Sequence, residues 1–129
     1  MGPVNIPADL RYSSDHEWIR QDGNTVTIGI TEFAQDSLGD VVFVEAPEAS
    51  SIVVAGDSFT EVESTKSVSD IYAPVSGTIV AINDKLDDTP ELLNSDPYGD
   101  GWICSIEMSD ASQLDGLMDA DSYRALTEG

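Results

Sequence analysis

Cysteine occurs once in this 129-residue chain, at Cys104, which excludes an internal disulfide framework and a multi-cysteine metal site. Histidine also occurs once, at His16, too little for a histidine metal cluster or a reason to expect a Ser-His-Asp triad. Basic residues are scarce: five Lys and Arg stand against 25 Asp and Glu, a formal net charge of −20. That balance argues against nucleic acid and against anionic membrane surfaces, which both need basic patches, and it favours basic or neutral partners. No apolar run exceeds four residues, whereas a membrane-spanning helix takes ~20. The start of the chain has neither the basic opening nor the apolar stretch of a secretory signal, so the expectation is a cytoplasmic protein. EF-hand spacing, a phosphate-cradling glycine loop, a nucleophile elbow and an HExxH helix are all missing, and no metal site or catalytic residue is expected.

What is present is ample apolar residue content, 40% of the chain, in short clusters. Low hydrophobicity is what denies a charged chain its core, so this one should fold, and its length suits one domain. His16–Arg20 and Thr25–Ile30 read as a hairpin around Asp22-Gly23, since glycine accepts the positive φ of tight turns. Thr31 suits the N-cap of a short helix through Leu38, with Gly39 as its stop. Val41–Val44 reads as a buried strand, followed by strands over 52–55, 59–64, 67–72, 77–83 and 102–107. Residues 94–101 read as a turn-rich loop, and the pattern turns helical from Ser109. Closely spaced strands with turn signals point to a β sandwich or barrel with short helices, not to βαβ units. Cys104, in an apolar strand, reads as a small buried hydrophobe, and His16 as a packing or hydrogen-bonding residue.

The informative segment is Glu61-Val62-Glu63-Ser64-Thr65-Lys66-Ser67, where two strand-like runs meet at one of the chain's two lysines. A lysine on a hairpin tip commonly serves as a solvated turn residue or a guard against edge pairing. The same place also suits covalent acylation, which needs an exposed amine held rigidly for a modifying enzyme and free to swing afterwards. Position alone does not decide between them.

The surrounding residues bear on it. That segment, with Ala73-Pro74-Val75-Ser76-Gly77, resembles the lipoyl-lysine hairpin of the glycine cleavage system H proteins. His16-Glu17-Trp18-Ile19, Ile28-Gly29-Ile30-Thr31, Leu38-Gly39-Asp40-Val41-Val42-Phe43-Val44 and Asn94-Ser95-Asp96-Pro97-Tyr98 are similar to further blocks of that family, in the same order. The resemblance runs from about Leu10 to Leu126 and implies a single domain, 1–129, with its core over about 10–126 and residues 1–9 an extended N-terminal segment: a mainly β barrel-sandwich hybrid with short peripheral helices and a C-terminal helix. It implies lipoate in amide linkage to Lys66, which would take the net charge from −20 to −21. Glu63, three residues before the lysine, and Gly77, eleven after it, match the family's positions for recognition by the lipoylating enzyme.

In that family the protein is a carrier subunit and not itself an enzyme. It takes an aminomethyl group from glycine at the pyridoxal-phosphate-dependent P protein and delivers it to the T protein. The L protein then reoxidises the arm by reversible thiol–disulfide chemistry. Glu17 and Asp70 match positions lining the cleft that shelters the loaded arm, where a carboxylate suits an ammonium. With 25 acidic residues in the chain, each also reads as a solvated surface acid. Ser37 stands where some plant members have a histidine, so a histidine contact does not carry over, and Ser37 either hydrogen-bonds the arm or ends a helix. Alternatives are a biotin domain, disfavoured by Thr65 and Ser67 in place of flanking methionines, and a 2-oxoacid dehydrogenase lipoyl domain. A lipoyl relay protein that donates lipoate to other enzymes and an unmodified acidic interaction module complete the set.

Overall fold

A computed structural model describes residues 6–45 and 47–128. Nine strands follow one another as β1 (Arg11–Tyr12), β2 (Glu17–Asp22), β3 (Thr25–Ile30), β4 (Val41–Val44), β5 (Ile52–Val53), β6 (Ser58–Ser64), β7 (Val68–Tyr72), β8 (Gly77–Ile82) and β9 (Cys104–Met108). Among the described residues, α-helices α1 (Glu32–Leu38), α2 (Lys85–Asp88) and α3 (Leu92–Ser95) interrupt the strands, and α4 (Ala120–Glu128) follows them. A six-stranded sheet runs β1-β2-β3-β9-β8-β5, and a three-stranded sheet runs β4-β6-β7, every pairing antiparallel.

Alternation explains how the two sheets close on each other. In β3 the residues Val26, Ile28 and Ile30 are buried, and in β9 Cys104, Ile106 and Met108, because successive side chains in a strand point to opposite faces. From the smaller sheet Val62 and Ile71 enter the same core, with Val75 and Ile79 from the connection and β8. Gly77 stands where β8 approaches β9 so closely that a Cβ would lie 2.0 Å from the Glu107 carbonyl oxygen. Only glycine permits that approach. A second cluster, of Ile6, Leu10, Tyr12, Trp18, Ala120 and Tyr123, fastens the N-terminal segment and α4 to the outside of β2.

The expected hairpin forms, with Gly23 at φ +63° between β2 and β3. Thr31 caps α1 by accepting a hydrogen bond from the Ala34 amide, and Gly39 ends it at φ +82°. Other expectations need correction. Val41–Val44 is a strand but not a buried one: a register shift leaves Val42 and Phe43 about half exposed (53% and 51%). The strand expected over 52–55 stops at Val53, and the last strand begins at Cys104 instead of Trp102. Part of the expected loop 94–101 belongs to α3, and α2 precedes it; four residues are too few to show a helical period. After Ser109 the chain first makes a 3₁₀ turn, Ala111–Gly116, opened by the Asp110 side chain accepting from the Ser112 amide, and only then α4. Of the extended segment expected over residues 1–9, residues 1–5 lie outside the described residues. The rest is not simply extended: Ala8 and Asp9 form a turn and Ile6 is buried.

Candidate functional site

Lys66 occupies the middle of the three-residue tip between β6 and β7 and is exposed. Ser64 builds the tip: its Oγ accepts from the amides of Lys66 (3.2 Å) and Ser67 (3.1 Å), and its amide donates to the Ser67 carbonyl (2.8 Å). The Thr65 amide donates to the Asp40 carbonyl at 3.0 Å, tying the tip to the turn after α1. With these backbone groups satisfied locally, the tip is stiff without being buried. The lysine side chain lies over the end of α1, where a Cβ built on Gly39 would come 3.2 Å from Lys66 Cε and 3.7 Å from Nζ. Among the described residues no carboxylate pairs with this amine; the ion pairs are Lys85–Asp100 and Arg124–Asp121. Glu63 is exposed near the end of β6, with Phe43 and Val68 opposite it on either side. Gly77 is a full strand, β7, away from the tip and buried in the other sheet.

Beside the tip lies a cleft of about 300 Å³ between α1, the residues just before β2, the end of β3 and the edge strand β7. Its lining includes Ser37 and Asp70, both exposed, together with the apolar Phe33, Leu38 and Ile71 and the ring of His16. Phe33 and Ser37 are one helical turn apart, so α1 presents both on one side. The structure therefore brings Ser37 and Asp70 to one cleft next to Lys66. Ser37 lies within α1 and does not end it.

Glu17 is a correction, since it is no solvated acid and does not line that cleft. It is buried to within 1% of its surface, accepting from Ser13 Oγ (2.9 Å) on one oxygen and from the Tyr72 amide (2.9 Å) on the other. Burial pushes its carboxyl up to about 8, against the pull of those two hydrogen bonds. With one oxygen on Ser13 and the other on the Tyr72 amide, Glu17 clasps β2 to β7. His16 is both packed and hydrogen-bonded: its Nδ1 lies 2.8 Å from the Tyr123 hydroxyl, and its ring sits 4.7 Å from that of Phe33. Burial lowers its pKa, partly offset by Asp15. The Cys104 thiol, fully buried, is pushed up to about 12 and is inert. Sequence reasoning missed the apolar wall of Phe33, Leu38 and Ile71, although the α1 period held a signal for the first two. It also missed Tyr123, whose role depends on a contact 107 residues away in the chain.

Two facing sheets with a lysine lifted on a stiff hairpin tip define a barrel-sandwich carrier domain of the lipoyl type. The chain belongs to the glycine cleavage H-protein family, whose model matches residues 10–129. A probable glycine cleavage system H protein of Haloarcula marismortui is 57% identical over 120 residues, covering 93% of this chain and 94% of that one. A glycine cleavage system H protein of Escherichia coli is 58% identical over 125 residues, covering 96% and 97%. The crystal structure of a glycine cleavage system H protein from Mycobacterium marinum superposes with a TM-score of 0.88 at 42% identity, covering 96% of this chain and all of that one.

Proposed function

We propose that this chain is the non-catalytic lipoyl carrier of glycine cleavage, with lipoate joined to Lys66 through an amide. The observation that carries the reading is the lysine itself: exposed, free of any described ion pair, and laid over Gly39, whose neighbour Leu38 lines the adjoining cleft. The residues present suit the group. The tip leaves room for a tether, and the cleft offers Phe33, Leu38 and Ile71 to an acyl chain and Asp70 to a cationic load. When attached, lipoate supplies a disulfide that accepts an electron pair together with a fragment and passes both on. The chain's own residues hold and shelter the arm, and no bond-breaking side chain is required of them.

On this reading the chain would present the arm in turn to the P protein, a glycine decarboxylase, the T protein, an aminomethyltransferase, and the L protein, a dihydrolipoamide dehydrogenase, and would carry an aminomethyl group between the first two. Glu63 is exposed where a lipoylating enzyme reaching for Lys66 would meet it, whereas Gly77 serves that recognition indirectly, by holding β8 against β9. Ser37 offers the arm a hydroxyl. The reading places the protein in the cytoplasm, and no helix among the described residues is long and apolar enough to cross a membrane. Intact-mass measurement after incubation with a lipoylating ligase, ATP and lipoate tests it. One lipoyl adduct is expected on the native chain and none on Lys66→Ala; an unmodified native chain, or an adduct retained by the variant, overturns it.

A further inference from the structure

A chain of hydrogen bonds runs from α4 to the cleft. The Tyr123 hydroxyl, on a fully buried side chain, lies 2.7 Å from Thr31 Oγ1 and 2.8 Å from His16 Nδ1. Thr31, also fully buried, accepts the Ala34 amide on the same oxygen (3.2 Å), and its own amide donates to the His16 carbonyl (3.1 Å). Buried donors find acceptors, and this decides the direction of the chain. Thr31 has no other acceptor among the described residues, so its proton goes to Tyr123. The Tyr123 proton then goes to His16 Nδ1, and the imidazole carries its proton on Nε2. In the reverse direction the Thr31 hydroxyl proton would be buried with no acceptor, at a cost of about 1–3 kcal/mol. His16 is held for this in the left-handed region, φ +68°, with its ring tilted against Phe33 on the cleft wall. The Nε2 edge, opposite the tied nitrogen, makes no hydrogen bond to any described residue.

We propose that His16, fixed by Tyr123 with its proton on Nε2, is the hydrogen-bond donor that the cleft offers to a sulfur of the lipoyl arm. This deepens the carrier reading and rests on it. The Lys66 side chain already lies over Gly39, and from there to Phe33 the helix α1 advances six residues, roughly 9 Å. An extended lipoyl chain would reach about that far, so His16 stands within range of its dithiol end. The charged groups lining the cleft are the carboxylates Asp15 and Asp70. They suit a cationic load but repel a thiolate, so a neutral N–H is the complementary group for sulfur. Tyr123 is the positioning residue, acting on the arm only through His16.

Two measurements decide it. The chain has a single histidine, so long-range proton–nitrogen correlation on unmodified protein reports one ring without ambiguity. The Nε2–H pattern is expected in the native chain and a mixture of both tautomers in Tyr123→Phe; an Nδ1–H pattern in the native chain overturns the proposal. The second measurement follows the reduced arm's thiols by ultraviolet absorbance against pH, after intact mass has shown the adduct. Asn tolerates the left-handed backbone and imitates Nδ1 without Nε2, whereas Gln imitates Nε2. The lower thiol pKa is expected to rise by about one unit in His16→Asn and to fall back in His16→Gln. A role in packing alone moves neither value. An adduct with unchanged thiol values in His16→Asn overturns this inference and leaves the carrier reading standing, while a chain that accepts no lipoate overturns both.

Discussion

Glu17 shows how far one residue's meaning depends on what covers it. Beside His16 and Trp18 in the sequence it reads as one more surface acid among 25; in the fold it is enclosed, hydrogen-bonded from β1's far side by Ser13 and from β7 by the Tyr72 amide. Its carboxyl rises from an ordinary 4.5 to about 8. Between those values the folded chain binds more protons here than the unfolded one, so the stability Glu17 contributes is complete below about pH 4.5 and is lost as pH rises through about 8. Replacing Glu17 by Gln keeps an acceptor for Tyr72 and removes the titration. Thermal melts from pH 5 to pH 9 should therefore show the variant gaining on the native chain as pH rises, about tenfold in folding equilibrium per pH unit at most. Parallel curves would mean that the carboxyl is not shifted. Gly77 makes the same point by packing: the sequence offers it as the start of a strand, and only the Glu107 carbonyl above it explains why no side chain fits.

At the scale of elements, legibility followed locality. The β2–β3 hairpin and the capped helix α1 were readable because their signals, Asp22-Gly23 and Thr31 with Gly39, lie within the element they govern. The exposure of Val42 and Phe43 was not readable, because it comes from a register shift against β6. Nor were α2 and α3, one turn each, held by the burial of Leu86 and Leu93 instead of by periodicity. In the site the lysine tip was legible from its own segment and Asp70 only through the family resemblance, while the cleft's far wall is assembled from the residues before β2, the end of β3 and α1. The helix α1 is held at its start from outside as well as by its cap, since the Glu32 amide donates to the Tyr98 hydroxyl at 3.0 Å. Thr31→Val keeps the shape and deletes the cap. It should cost about 1–2 kcal/mol in urea denaturation and speed amide exchange in α1 ahead of β3. Equal exchange in both elements would show that the cap does not govern the helix.

For the whole molecule the dominant fact is charge. At −20 over 129 residues the surface attracts basic docking faces from a distance, and such attraction is screened over about 8 Å at physiological salt. On the proposed carrier reading, association with the P, T and L proteins should slow and weaken steeply as salt rises, chiefly in the association rate, as surface plasmon resonance at graded ionic strength would show. Affinity indifferent to salt would mean that apolar contact dominates docking. The same self-repulsion keeps copies of the chain apart, and the sheet termini add to it. β1 and β5, which end the six-stranded sheet, are two residues each; of the borders of the other sheet, β4 is interrupted by its register shift and β7 has its Tyr72 amide taken by Glu17. Stubs that short give an incoming strand almost nothing to zip onto. A shuttle crowded among large enzymes, repeatedly meeting its own kind, thus has a built-in defence against polymerising into fibrils.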